Sequence, residues 1–233
     1  ERLLFMSLFA IADTHLSFAS NKPMDDFEGW LNYTDRLKEN WNKIIDDKDY
    51  VVIAGDISWA MNFDELKADF DYINQLNGKK IILKGNHDYW WNTMSKMNKF
   101  IEENNFNTIS ILHNNAFDFD DFSVCGSRGW FFDSDEEQNE KVLNREVMRI
   151  KASIESALNC EKIVFLHYPP VYENQCCEEI VSLLKEKGIK KCYYGHIHGV
   201  AAKYAFDDNY DGIDFKLISA DRLNFMPLLI KKF

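Results

Sequence analysis

The sequence predicts an α/β layered domain with a largely parallel set of central strands and some antiparallel pieces. Two observations carry that reading. Short apolar runs alternate with amphipathic stretches in the order βαβαβα before the pattern becomes mixed. The 233 residues are 46% apolar with only four prolines and contain no long Pro/Gly/Ser linker, so residues 1–233 read as one domain with a sizeable core.

Residues 6–12 read as a buried strand that ends in an acidic loop. Residues 30–46 read as a helix, because Leu37, Trp41, Ile44 and Ile45 fall on one face. Residues 50–54 form a short buried strand. Residues 63–77 form a helix with Phe63, Leu66, Phe70 and Ile73 in phase and Gly78 at its end. Residues 80–83 are a strand and residues 89–104 a helix. Short strand-like pieces follow at 108–112, 116–119 and 122–125. The longest helix spans 136–158, with Leu143, Val147, Ile150 and Ile154 in phase. Residues 162–166 are a strand, 177–187 a helix closed by Gly188, and 190–194 a strand. Residues 200–206 and 215–219 read as later strands.

Charge and cysteine usage narrow the function classes. Acidic residues number 38 and basic residues 27, a net charge of −11. That field repels nucleic-acid backbones and anionic membranes unless bound cations reverse it locally. The five cysteines are odd in number, include the vicinal pair Cys176-Cys177 and contain no C-x-x-C. Reduced thiols and a cytoplasmic protein follow from that usage. Residues 3–12 follow Arg2 and resemble a short signal peptide. They are too short to span a membrane as a helix, and cleavage after them would remove the strand that leads into Asp13 and His15.

Chemistry-bearing residues close the predicted strands. The first ends in Asp13-Thr14-His15, the second in Gly55-Asp56 and the third in Gly85-Asn86-His87-Asp88. Two later strands end in His167 and in Gly195-His196-Ile197-His198. Carboxyl ends of strands in an open α/β sheet converge on one crevice. Asp-x-His and His-x-His place two ligand-type side chains on one side of an extended segment. Asp56 offers two oxygens that can bridge two cations, and Asn86 offers a neutral carbonyl oxygen. Mixed nitrogen and oxygen donors suit two divalent transition-metal ions, among Mn, Fe, Zn, Co and Ni, better than Ca or Mg. Each fragment alone reads as turn chemistry. Together they account for five of the six histidines and leave only His113, an ordinary loop histidine.

The ordered series Asp-x-His, Gly-Asp, Gly-Asn-His-Asp, a single His and Gly-His-x-His resembles the calcineurin-like metallophosphoesterases. The resemblance runs from Asp13 to His198. It implies a four-layer α/β/β/α sandwich of two mixed β-sheets flanked by helices. By the same resemblance Asp13, His15 and His198 hold one metal, Asn86, His167 and His196 hold the other, and Asp56 bridges them. His87 lies beside the substrate and protonates the leaving group or stabilises charge. Two cations roughly 3.5–4 Å apart would activate a hydroxide for in-line attack on phosphorus and clamp the phosphoryl oxygens. His87 has the pKa range of a general acid. Asp88 either orients His87 or stabilises the turn.

The second and third motifs read Gly55-Asp56-Ile57-Ser58-Trp59 and Asn86-His87-Asp88. Similar Ser/Thr protein phosphatases carry Gly-Asp-x-Val-Asp-Arg-Gly and Gly-Asn-His-Glu there, and similar lipid-A-pathway pyrophosphatases carry Arg at the position of His87. The run is most similar to small bacterial phosphohydrolases of this superfamily. Trp59, Tyr89, Trp90, Trp91 and Trp130 crowd the motif loops. They either pack between sheet and helices or line a substrate pocket, with Trp59, Tyr89 and Trp90 the candidates for contact. Arg128 is a candidate phosphate contact or a surface ion pair.

These readings make the chain a metal-dependent phosphoric ester hydrolase acting on a small phosphodiester or nucleotide, with no nucleic-acid polymer and no membrane as partner. Two alternatives stand beside it: a nuclease of the same superfamily, which a basic groove would favour, and a non-catalytic metal-binding scaffold, which would have lost a ligand or His87.

Overall fold

A computed structural model describes residues 6–130 and 140–233. The first sheet contains β1 (Ser7–Ile11), β2 (Tyr50–Ala54), β3 (Lys79–Leu83), β4 (Ile109–Ile111) and the C-terminal β13 (Leu228–Lys232) in the order β13-β1-β2-β3-β4. All neighbours are parallel except β13, which runs antiparallel to β1. The second sheet contains β5 (Phe117–Asp118), β6 (Phe122–Ser127), β7 (Glu161–Leu166), β10 (Lys191–Tyr194), β11 (Asn209–Tyr210) and β12 (Ile213–Leu217). Its order is β11-β12-β10-β7-β6-β5, parallel at the centre with antiparallel edges. A small hairpin pairs β8 (Val171–Tyr172) with β9 (Gln175–Cys176).

The two-residue period of a strand builds the layers. Phe9, Ile11, Val51 and Ile53 point to one face of the first sheet and pack under helices α1 (Tyr33–Ile44), α2 (Phe63–Gln75) and α3 (Met94–Glu103). Leu8, Ala10, Val52, Ala54, Ile81 and Leu83 point to the opposite face, against Val124, Ile163 and Phe165 of the second sheet. The outer face of the second sheet, with Cys125, Val164, Leu166 and Cys192, packs on α4 (Glu140–Ser156) and α5 (Glu178–Glu186). Three apolar interlayers therefore separate four layers, helix/sheet/sheet/helix, as the resemblance implied.

Local chemistry fixes the helix ends. Asn62 caps α2 by accepting from the Glu65 amide at 3.0 Å, and the Glu65 carboxylate accepts from the amide of Met61, just before the cap, at 2.8 Å. At the other end the buried Lys80 ammonium donates to the carbonyls of Leu76 (2.6 Å) and Gly78 (2.7 Å). Burial pushes its pKa down to about 8.

Several boundaries differ from the sequence expectation. The first helix begins at Tyr33 rather than residue 30, because Asn32 sits in the left-handed region at φ 53°. The third begins at Met94 rather than residue 89, since residues 89–92 are drawn into a turn closed by the Trp91 amide on the Asp88 carbonyl. Residues 200–206 do not form a strand. Gly199–Tyr204 is a 3-10 helix entered through Gly199 at φ 62°, which breaks an extended chain. Residues 136–139 of the longest predicted helix lie outside the described residues. Strand β13, the β8–β9 hairpin and β11 were not anticipated. None of the five cysteines is in a disulfide. Among the described residues no helix is long and apolar enough to cross a membrane.

Candidate metal centre

The two sheets meet at the C-terminal ends of their strands. The Ala12 amide donates to the Ile218 carbonyl at 2.8 Å, and an isolated parallel bridge joins Ala12 to Ser219. The approach is close enough that a Cβ on Gly195 would lie 2.5 Å from the Ala12 Cβ and 2.7 Å from Asp13 Oδ2. Only glycine lets the loop after β10 reach the loop after β1.

That junction brings together the loops after β1, β2, β3, β7 and β10. Asp13, His15 and Asp56 form one group of potential ligand atoms within 4.8 Å of one another, and Asp56, His167 and His196 form a second. Asp56 belongs to both. Asn86 joins the second group, its Oδ1 lying 2.7 Å from His167 Nε2 and 3.0 Å from His196 Nδ1. The His198 ring stands 5.2 Å from the His15 ring, centroid to centroid, outside the compact groups. Asp13, His15, Asp56 and His167 are almost wholly buried.

The donor set fits cations. His167 Nδ1 lies 3.1 Å from the Ala54 carbonyl oxygen, which can only accept, so Nδ1 carries the proton. Burial drives the His167 pKa down to about 3, leaving the ring neutral and Nε2 a bare acceptor. Its approaches to Asn86 Oδ1 and, at 3.5 Å, to Asp56 Oδ1 are therefore acceptor against acceptor, not an ion pair. His15 Nδ1, His15 Nε2 and Asp56 Oδ2 are buried with no hydrogen-bond partner. Burial, reinforced by the neighbouring His198, holds the His15 pKa well below its ordinary value. Burial pushes Asp56 up to about 6, and burial with the charge of Asp56 raises Asp13 well above the carboxylate range. Neutral imidazoles and carboxylates short of positive charge are the state that divalent cations complete.

Supporting contacts orient these ligands. Ser219 Oγ donates to Asp13 Oδ2 at 2.7 Å, and the His196 amide donates to the same carboxylate. The Tyr33 hydroxyl donates to the His15 carbonyl at 2.9 Å. Ser219 and Tyr33 were not singled out from the sequence; Ser219 follows a predicted strand but belongs to no ligand motif. The Asp88 carboxylate accepts from the amides of Gly85 (2.7 Å), Ile57 (2.9 Å) and Ser58 (3.3 Å) and ties the second motif loop to the third. The Tyr89 hydroxyl contacts His87 Nδ1 at 3.1 Å.

The other aromatics divide. Trp59 stacks on His15 at 4.9 Å, lies 4.4 Å from the His87 ring, and lines a cavity of about 750 Å3 together with His87 and His198. Trp90 is 2% exposed and packs in the core against Phe70 and Trp91. Tyr89 is exposed but does not line that cavity. Trp130 is buried in the layer under α4 and α5, and Trp91 packs on the core under α1–α3. Arg128 lies over the Tyr168 ring at 5.5 Å, and its carbonyl accepts the His167 amide. His113 stays on the loop after β4, its amide held by Asn115.

The family model for calcineurin-like phosphoesterases matches residues 6–200. The chain belongs to that family. Among solved structures, a phosphopantetheinyl hydrolase from Mycobacterium tuberculosis superposes with a TM-score of 0.56 at 14% identity, over 97% of this chain and 96% of that one. A protein of unknown function from Aquifex aeolicus gives 0.51 at 15% identity, over 96% and 95%. Both likenesses concern the fold. An uncharacterized protein of Methanocaldococcus jannaschii is 34% identical over 86 residues, 35% of this chain and 46% of its own length. The chain thus spans about half the length of that relative.

Proposed function

We propose that this family member is a di-metal phosphoesterase that hydrolyses small phosphoesters, either phosphodiesters or nucleotides. The observation that carries the reading is the sharing of Asp56 between two groups of ligand atoms, all buried but the half-buried His196. Asp13 and His15, joined by His198, would hold one cation, and Asn86, His167 and His196 the other, with Asp56 available to both. When bound, the pair supplies Lewis acidity toward phosphoryl oxygens and a nucleophile at neutral pH.

The chain's own residues do the rest. Ser219 and the His196 amide fix the Asp13 carboxylate. The Ala54 carbonyl fixes the His167 tautomer, so that Nε2 faces the centre. His87, beside the cavity and steadied by Tyr89, gives a proton to the leaving alkoxide. The net charge of −11 favours a small ester over a polymer, because a polynucleotide is held mostly by neutralising many phosphates.

The test is elemental analysis after reconstitution with manganese, paired with hydrolysis of bis(p-nitrophenyl) phosphate. The wild type binds two ions per chain and turns over the ester. Asp56→Asn loses affinity at both sites, because the bridge touches both ions. One ion or none in the wild type sinks the reading.

A further inference from the structure

The cavity beside the ligand cluster is larger and more apolar than a phosphoryl group requires. Its volume of about 750 Å3 lies within the range of small-molecule pockets. Its apolar wall is built by Met24, Phe27, Trp30, Trp59 and Val200. The deep part of that wall is held in place. Trp59 Nε1 donates to Met24 Sδ at 3.4 Å, and Trp30 packs edge-on against Tyr33 and Phe225. The outer part is wet: Phe27 is 60% and Val200 76% exposed. A phosphate on the metal centre would leave both side chains in water. An apolar substituent reaching along the wall would cover them.

Charged groups in the lining are few. Among the described lining residues Arg36 brings a cation that serves the fold: Nη1 donates to the Gly29 carbonyl at 2.7 Å and the guanidinium lies over the Phe225 ring at 4.6 Å. The Lys22 ammonium lies over the Trp59 ring at 4.4 Å. Glu28 and Asp221 bring two carboxylates. These two carboxylates offset Arg36 and Lys22 in formal charge; a second charged group on the substrate would lose water against the apolar wall.

We infer that this cavity takes the alcohol portion of the phosphoester, and that this alcohol is apolar or aromatic and carries no further negative charge. The position of the phosphorus rests on the phosphoesterase reading above; the preference of the cavity does not depend on turnover. Nucleoside diphosphates and triphosphates fall outside this class. Alkyl and aryl esters, and monoesters of uncharged ring systems, fall inside it.

Phosphonates test the inference because they resist hydrolysis, so binding is read apart from catalysis. The manganese-loaded protein is titrated by calorimetry with methylphosphonate, hexylphosphonate, phenylphosphonate and 6-phosphonohexanoate. Each fully buried methylene strengthens binding about fourfold. Hexyl- or phenylphosphonate therefore binds at least about tenfold more tightly than methylphosphonate even with partial burial. The carboxylate-tipped compound loses most of that gain. The double variant Phe27→Ser, Val200→Ser, altered at two largely exposed positions, loses most of the hexyl-over-methyl ratio. Whether hexyl or phenyl leads tells an alkyl from an aryl preference, and either supports the inference. Equal affinity for methyl and hexyl, an unchanged ratio in the double variant, or no binding of any phosphonate overturns it. A strong hexyl preference without hydrolysis of any ester would uphold the cavity and sink the catalytic reading instead.

Discussion

Gly85→Ala isolates the geometric demand of the centre in a single methyl group. A Cβ at residue 85 would lie 2.1 Å from both the backbone nitrogen and Oδ1 of Asp56, and 2.9 Å from its Cα. Ordinary contact lies at 3.4–4 Å, so Asp56 would have to retreat by more than an ångström. It is not free to do so. Its carbonyl accepts the His15 amide at 3.0 Å, its Oδ1 accepts the His87 amide at 2.8 Å, and Gly55 before it accepts the Asp13 amide at 3.0 Å. Overpacking costs about 1–3 kcal/mol, and loss of the charge-assisted bond to His87 about 1.5–3 kcal/mol. A total of about 2.5–6 kcal/mol lowers the melting temperature of a chain this size on the order of 10 °C. Gly212→Ala is the control: at φ 84° with nothing within 4 Å of its Cβ, it meets backbone strain alone. That strain is worth about 1 kcal/mol. Thermal unfolding followed by circular dichroism on the metal-free proteins, with elemental analysis after reconstitution, reads both effects. If Gly85→Ala melts within about 3 °C of wild type and loads two ions, the reasoning about Asp56 is wrong.

Two further outcomes follow from the same geometry. His87→Ala retains metal and loses about 10²–10⁴-fold in turnover, less for p-nitrophenyl esters than for alkyl esters; an equal loss on both would argue against proton donation, and loss of metal would make His87 a ligand. Metal affinity rises with pH, because burial lifts the Asp56 carboxyl from 3.8 to about 6 and a bound proton must leave before a cation enters. For that one group the rise is about tenfold per pH unit below 6 and levels off above it, so dissociation constants for manganese unchanged between pH 5 and 6 would contradict the assignment.

Much of this architecture is legible in the residues. Strands β1, β2, β3, β7 and β10 stand out as short apolar runs, and the polar residues that close them are the ones the structure gathers. The periodicity of α2 is visible because Leu66, Phe70 and Ile73 share a face and Asn62 caps it. Strand β13 is harder to see: Leu228-Leu229-Ile230 is a three-residue apolar run, and only pairing with β1 makes it a strand. Residues 200–206 mislead because Val200-Ala201-Ala202 is a short apolar run, while Gly199 at φ 62° turns the chain before it can extend. The role of Asp88 was ambiguous because one carboxylate next to a histidine fits two geometries. Three amides converge on it and support the loop role. Trp59 and Trp90 look alike in sequence, and only the tertiary packing puts one on His15 and the other on Phe70.

What no motif reveals is the conformational cost of the centre. Asp13, His15, Asp56 and His196 all adopt positive φ, at 56°, 43°, 48° and 70°. Left-handed backbone is uncommon for any residue but glycine, even for Asp and His, which enter it more readily than most, and it costs about 1 kcal/mol or more per residue. Four such residues within one buried cluster, beside His15 nitrogens and an Asp56 oxygen that lack hydrogen-bond partners, are destabilising without compensation. The compensation comes partly from the three interlayer cores, which hold the strand ends rigid. It comes partly from the cross-loop bonds of Asp88, Ser219 and Ala54. A fold optimised only for its own stability would relax these loops and fill the acceptors with donors. That left-handed backbone and unpartnered acceptors coincide on the residues that converge on Asp56, on both sides of the sheet junction at once, is the physical reason to read the cluster as a cation site rather than as a satisfied polar core.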